Sequence, residues 1–259
     1  MNELSPKIPK VALVTGGAQR LGRAIVLELA RQGFDVGIHF NTSQDAARET
    51  LAAVAETGRR AVLLRADLAD DRQAERLIPE LTEKLGPVGV VVNNASRFDR
   101  DEWRDVTRTS WDAHMDTNLR TPFVLMQAFA RALPAGAEGV VVNMIDQRVW
   151  SLTQHFVSYT ISKAGLWALT QTMALALAPR IRVCAIGPGP ALPSPRQTQS
   201  QFAQQSASVP LGHGTSPREV ARAVTMILTL PAMTGQMIAL DGGQHLQWAA
   251  VQNTAGPEE

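Results

Sequence analysis

A chain of 259 residues with 45% hydrophobic and 19% charged residues carries apolar material for one well-filled core, or two small ones at most. The 25 Lys and Arg against 24 Asp and Glu leave a formal charge of +1, without the basic excess that binding a phosphate backbone demands, so nucleic acid is not an expected partner. The single cysteine, Cys184, excludes an internal disulfide, and the five histidines show no zinc-ligand spacing; a reducing, cytoplasmic setting without a metal is expected.

Residues 1–10 are polar, contain two prolines and lack the apolar run of a signal peptide. No apolar run elsewhere approaches the ~20 residues that cross a bilayer, so no membrane partner is expected. A strand at 10–15 leads into a helix at 21–32, and the alternation continues with strands at 35–40, 60–65 and 88–93 separated by helices at 43–57 and 71–85. A long helix at 110–133 precedes a strand at 139–144, a helix at 156–178, a strand at 180–186, a helix at 216–230 and a last strand at 237–240. Ser43 and Ser216 stand at N-cap positions, while Gly33, Gly58 and Gly86 follow helices where a left-handed residue is needed. Valine on three consecutive positions, at 90–92 and again at 140–142, fits strands covered on both faces. The expected fold is α/β: a single-domain, Rossmann-like, doubly wound parallel seven-stranded sheet with helices on both faces. Residues 1–8 and 249–259 read as flexible tails, and the Pro- and Ser-rich stretch 188–210 as a mobile substrate loop.

Val11-Ala-Leu-Val-Thr15 runs directly into Gly16-Gly17-Ala18-Gln19-Arg20-Leu21-Gly22 and then into a helix. Glycines let a backbone approach a pyrophosphate, and the free amides and dipole of a helix start favour its charge. Taken alone, such a turn also serves as a plain connection. Folds that select NAD place an acid after the second strand, on the ribose 2′-hydroxyl. Here Asn41, Thr42 and Ser43 stand instead, with Arg20 in the turn as a partner for a 2′-phosphate, which points to NADPH. Asp45, just inside the following helix, weakens that inference without reversing it. Asp67 and Leu68 follow the third strand, where an adenine ring would lie, and Asn93-Asn94-Ala95 closes the fourth strand at the sheet edge that binds ligands.

Tyr159 is the only tyrosine, and Lys163 follows it by one helical turn, so the two side chains share a face. An ammonium beside a phenol favours the phenolate and makes the pair usable for proton transfer. The spacing Tyr-x-x-x-Lys is common by chance; its place after the fifth strand gives it weight.

With the glycine turn on strand one, Asn-Asn-Ala after strand four and Ser158-Tyr159-Thr160-Ile161-Ser162-Lys163 after strand five, the chain resembles the short-chain dehydrogenase/reductase family over nearly its whole length. Asn118, Gly187-Pro188-Gly189 and Leu240-Asp241-Gly242-Gly243 extend the resemblance. It implies Tyr159 as proton donor, Lys163 tuning it and holding the nicotinamide ribose, Asn118 ordering a water-linked proton path, and Gly16, Leu21, Gly22, Asn94, Ala95, Pro188 and Gly189 against the cofactor. Two departures narrow it. Arg20 replaces the central glycine of the turn, and Asp146 stands where the family usually has a serine, 13 residues before the tyrosine. Both are features of the pteridine reductases and bacterial dihydromonapterin reductases, which the chain is similar to. Asn93-Asn94-Ala95-Ser96-Arg97-Phe98 resembles their next motif, implying Ser96 on pterin and cofactor and Phe98 stacked on the pterin ring.

An ionised aspartate would repel the oxyanion of a reduced ketone, whereas pterin ring nitrogens must gain protons, a task suited to a carboxyl group beside Tyr159. Asp146 as a turn cap and Phe98 as a core residue are the plainer readings. Trp103, Trp111, Trp150, Trp167 and Trp248 suit core or subunit-interface packing, with Trp150 placed on the loop that faces the substrate. The charged run 97–108 reads as a solvated face, and His114 and His155 as structural. The long helices at 110–133 and 156–178 resemble those through which family members pair, so a homotetramer is expected. The leading expectation is an NADPH-dependent reductase of a dihydropteridine, with dihydrofolate as a weak second substrate. Reduction of another carbonyl or imine, such as a 3-oxoacyl thioester, and a silent NADPH-sensing module stay open.

Overall fold

Strands that are apolar on successive residues must be covered from both sides, and the chain provides that cover. The computed structural model describes residues 4–194 and 196–247. Its strands are β1 (Val11–Val14), β2 (Asp35–Phe40), β3 (Ala61–Arg65), β4 (Val90–Asn93), β5 (Gly139–Met144), β6 (Ile181–Pro188) and β7 (Met237–Leu240). They form one parallel sheet in the order β3-β2-β1-β4-β5-β6-β7. The helices are α1 (Arg20–Arg31), α2 (Gln44–Ala55), α3 (Asp71–Leu85), α4 (Arg108–Met115), α5 (Thr121–Ala132), α6 (Val157–Ala176), α7 (Gln199–Ala207) and α8 (Pro217–Leu228). On one face Val14, Val92 and Val142 pack with Ile25 and Leu29 of α1 and Val224 of α8. On the other, Leu13, Val91 and Val141 meet Leu81 of α3, Phe129 of α5 and Met173 of α6. The expected α/β, Rossmann-like, seven-stranded parallel sheet is what forms.

The strand order reverses between β1 and β4, which opens a crevice at the carboxyl edge where the two chain directions part. Val90, Val91 and Val92 pair in register with Val140, Val141 and Val142, and the next rung is Asn93 opposite Asn143. There the Asn93 amide donates to Asn143 Oδ1 at 2.8 Å, and the Asn143 amide donates to Thr170 Oγ1 at 2.9 Å. Both buried NH2 groups thus find partners where the apolar ladder ends, while Asn93 Oδ1 has none.

Several expectations need correction. The helix expected at 110–133 is two helices joined by a wide turn, Asp116–Arg120, in which the Thr121 N–H bonds back five residues to Asp116. Pro122 has no N–H to give to the Asn118 carbonyl, so the regular ladder cannot run through. The 188–210 stretch holds a helix, α7, started by a Thr198/Gln201 capping box and burying none of its residues, so it lacks the apolar stripe by which a helix is recognised. Position 195 lies outside the described residues. Within the expected N-terminal tail, Leu4 packs on the core, Ile8 is buried, and Ser5 and Lys7 bind Glu138. Residues 1–3, Trp248 and the expected tail at 249–259 lie outside the described residues. Ser216 caps α8 through the Glu219 N–H, whereas Ser43 occupies the N-cap position of α2 without a side-chain cap bond. Among the described residues no helix is long and apolar enough to cross a membrane, and no group of three His, Cys, Asp or Glu stands together as a metal site.

Candidate active site

A cleft of about 710 Å³ opens at the carboxyl ends of the strands, across the point where the order reverses. At one end Gly16, Arg20, Leu21 and Gly22 form its floor, with Asn41, Thr42 and Ser43 beside them and Asp67 and Leu68 across from them. Asn94, Ala95, Ser96 and Phe98 line the middle, and Asp146, Tyr159, Lys163, Pro188 and Gly189 complete the far end. Asn118 is the sequence-selected residue that the cleft wall leaves out.

The glycine turn has its shape for steric reasons. Gly16 has φ +60, and a Cβ on Gly22 would come within 2.0 Å of the Gly16 carbonyl oxygen. Arg20 has φ +54, a left-handed backbone that costs a residue with a Cβ about 1–2 kcal/mol. That explains why a glycine suits this position. The Arg20 guanidinium donates to the Pro193 carbonyl at 3.0 Å, tying the turn to the 188–210 segment. Asn94 locks the turn to β4: its amide donates to Thr15 O at 2.8 Å and to Gly16 O at 3.2 Å. Asp67 closes its own turn by accepting the Ala69 N–H, and the Leu68 carbonyl receives the Thr121 hydroxyl.

His39 is a site residue that the sequence reading missed. Its Nδ1 accepts the Gly16 N–H at 3.0 Å while its Nε2 bonds the Ala66 carbonyl at 3.1 Å, which fixes the tautomer with the proton on Nε2. Burial pushes its pKa down to about 4, so the ring is neutral, accepting from the turn through Nδ1 and donating to Ala66 through Nε2. The only sequence signal for it was a histidine inside a mostly apolar strand.

At the other end the Tyr159 hydroxyl donates to Asp146 Oδ2 at 2.8 Å. Asp146 Oδ1 accepts the Arg148 N–H at 2.8 Å, starting a short 3₁₀ turn over Gln147–Val149. One oxygen of Asp146 thus caps a turn and the other meets the Tyr159 phenol. Lys163 is buried, donates to the Met144 carbonyl at 2.8 Å and lies 5.8 Å from the Tyr159 ring centre. Burial lowers its pKa to about 8, with the Asp146 charge pulling the other way. The group of Asp146, Tyr159 and Lys163 thus holds one proton donor, one carboxylate and one cation that titrates near neutrality.

Phe98 lines the cleft, but its ring lies flat on Phe156 at 4.7 Å, so one face is already taken inside the protein, and it meets Tyr159 edge-on at 4.6 Å. The Arg148 guanidinium stands 4.9 Å from the Phe156 ring centre and 5.9 Å from those of Phe98 and Tyr159, a buried cation in the wall that no sequence motif marked. Asn118 brackets the backbone of Arg97, accepting its N–H at 2.8 Å and donating to its carbonyl at 2.9 Å. Trp150 packs edge-on against Trp167 and His245 and does not line the cleft, and Trp103 is exposed, with Arg104 over its ring.

The chain matches the short chain dehydrogenase family over residues 10–204. Its backbone superposes on the crystal structure of FolM alternative dihydrofolate reductase 1 from Brucella suis in complex with NADP, with a TM-score of 0.90 and 45% identity, covering 93% of this chain and 96% of that one. The Brucella canis protein of the same name, also complexed with NADP, gives a TM-score of 0.88 and 44% identity over the same shares. The 3-oxoacyl-[acyl-carrier-protein] reductase FabG of Staphylococcus epidermidis is 28% identical over 242 residues, covering 92% of this chain and 99% of that protein.

Proposed function

The chain belongs to the short chain dehydrogenase family, is an NADP-dependent oxidoreductase, and we propose that its substrate is a pterin, a dihydropteridine such as dihydromonapterin, with dihydrofolate as a weaker second substrate. The observation that carries the proposal is the hydrogen bond from Tyr159 to Asp146 in a wall that also holds Lys163. The sequence similarity to two FolM proteins, at 44% and 45% identity, supports the same substrate class.

The residues present fit a phosphorylated dinucleotide. The first turn of α1 has no acidic residue, β2 ends without a carboxylate, and Asn41, Thr42 and Ser43 line the cleft beside Arg20. In this reading Arg20 and the 41–43 turn hold the 2′-phosphate, the amides around Gly16, Leu21 and Gly22 face the pyrophosphate, Asp67 and Leu68 flank the adenine, and Asn94, Ala95, Pro188 and Gly189 line the path to the nicotinamide. When bound, the nicotinamide supplies a hydride. Tyr159 delivers the accompanying proton to a ring nitrogen of the substrate. The carboxylate of Asp146, its hydrogen-bond partner, takes up a proton from solvent and passes it on to the phenolate, and Lys163 keeps that phenolate accessible while binding the ribose. Ser96 and the Phe98 ring, which the Arg196 guanidinium approaches to 5.1 Å, contact the pterin. Asn118 fixes the Arg97 backbone between Ser96 and Phe98, a positioning role beside the water-linked proton path that the family resemblance implies.

The test is NADPH oxidation by the purified protein against dihydropteridines, dihydrofolate, ketones and a 3-oxoacyl thioester. Turnover of dihydropteridines, lost in Tyr159→Phe with NADPH binding kept, supports the reading; turnover of ketones or thioesters alone overturns it. The competing 3-oxoacyl reading draws on the Staphylococcus relative, and a silent NADPH-binding module would turn over nothing in the panel. Exposed Ile161 and Leu175 on α6 support the homotetramer, which light scattering reads directly. A cytoplasmic setting goes with this reading, in which the buried Cys184 is a free thiol.

A further inference from the structure

Residues 94–107 carry Ser96 and Phe98 into the cleft, and the charged part of this run is not simply a solvated face. Asp101 is buried against the start of α6. Its Oδ1 accepts the Ser158 N–H at 3.1 Å, its Oδ2 accepts the Ser158 hydroxyl, and its carbonyl accepts the Phe156 N–H at 3.0 Å. Two residues earlier, the Asp99 N–H donates to Nε2 of the buried His114 at 3.1 Å. Ser158 Oγ lies 2.7 Å from His114 Nδ1 and so joins the two contacts.

The chemistry of each group fixes who donates. His114 Nε2 faces a backbone N–H and must present a lone pair. Its Nδ1 faces the Ser110 carbonyl at 3.1 Å as well as Ser158, and a carbonyl only accepts, so Nδ1 carries the proton. Ser158 therefore receives from His114 and spends its own proton on Asp101. One directed chain results: Asp99 amide to His114, His114 to Ser158, Ser158 to the Asp101 carboxylate. Burial lowers the His114 pKa against the pull of Asp101 and Asp99, in keeping with a neutral ring.

The two ends of this chain adjoin the two groups whose separation shapes the pocket. Phe98 precedes Asp99 and Tyr159 follows Ser158. Phe156, whose N–H is held by Asp101, adopts φ +59, a conformation strained for a residue with a side chain, and its ring then lies flat under Phe98. We propose that Asp101, His114 and Ser158 are positioning residues that fix the Phe98 wall of the substrate pocket against Tyr159, making residues 96–101 and the start of α6 one rigid unit. The identity of the substrate rests on the pterin reading; the coupling does not.

Tyr159 is the only tyrosine, so protein labelled with ¹³Cζ-tyrosine gives one resonance that reports on this phenol without any substrate. Asp101→Asn leaves one acceptor oxygen for two Ser158 donors. It is expected to shift that resonance, to raise KM for a dihydropteridine at least about tenfold with a smaller change in kcat, and to leave NADPH affinity within about twofold. Glu102→Gln, which breaks the pairs with Arg100 and His155 in the same segment, is the control and should leave all three as in wild type. If Asp101→Asn does not fold, Ser158→Ala, which removes one hydroxyl and keeps the backbone bond to Oδ1, carries the same expectations. A resonance and KM equal to wild type, with only a lower melting temperature, would reduce the cluster to a helix cap and overturn the proposal. A shifted resonance in a protein whose wild type turns over no dihydropteridine would sink the substrate reading and leave the coupling standing.

Discussion

The carboxylate of Asp146 is held from two sides: Oδ2 accepts the Tyr159 hydroxyl at 2.8 Å and Oδ1 accepts the Arg148 backbone N–H at 2.8 Å. A carboxylate so fixed cannot turn away from the phenol without giving up the turn it starts, and that makes it a preorganised partner.

Asp146→Asn keeps the shape and removes the charge. That charge raises the Lys163 pKa against the burial that lowers it to about 8, so its loss moves ammonium deprotonation to lower pH. The alkaline limb of kcat/KM, an apparent property of the whole group, should shift acidward, with a loss of about 10²-fold or more at neutral pH. A pH–rate profile of both proteins checks this, and an unmoved limb would detach Lys163 from Asp146.

Arg20→Gly relieves a left-handed backbone and removes the cation. The melting temperature should not fall, because about 1 kcal/mol of backbone relief offsets the exposed bond to Pro193. KM for NADPH should rise at least about tenfold more than KM for NADH. Equal losses for the two coenzymes would remove Arg20 from the 2′-phosphate.

Gly22→Ala places a methyl group 2.0 Å from the Gly16 carbonyl oxygen and 2.7 Å from the Asn94 amide. Neither neighbour can yield without opening the turn, so a stability loss of about 2–3 kcal/mol is expected, together with weakened NADPH binding. Urea unfolding and NADPH fluorescence titration measure the two effects.

His39 links stability to acid. Its folded pKa, about 4, lies below the ordinary 6.5 because of burial. Between those values the unfolded chain binds a proton that the folded chain does not. Stability is therefore fully present above about pH 6.5 and falls as pH drops toward 4, by about 3 kcal/mol in all. Urea midpoints over that range should show the slope in wild type and a flatter one in His39→Asn, which is less stable throughout; identical slopes would assign the acid sensitivity elsewhere.

Bounds for β2, β5, β7 and α3 were readable to the residue, because apolar runs closed by Gly, Asn or Asp leave little freedom at those ends. The cleft was readable for a related reason: strand ends that carry glycine or asparagine are rare in an apolar sheet and stand out. What stayed hidden depends on distant partners. Asp101 looks like one more charge in a polar run until α6 arrives above it, and His39 like a stray polar residue until Gly16 turns back toward it. Phe98 lines the cleft, yet nothing in the chain order revealed that Phe156 would cover one face. Helix α7 escaped notice because it buries nothing.

The paired Asn93 and Asn143 fix more than two amides. Each lies three residues before a cleft residue, Ser96 in the loop after β4 and Asp146 in the loop after β5. Sliding β4 along β5 by a single step would set an amide against a valine and send alternate side chains to the opposite layer. The two loops therefore depart from the sheet at a common height, and the vertical alignment of the reaction chamber is set by the register of two strands rather than by the chamber's own side chains.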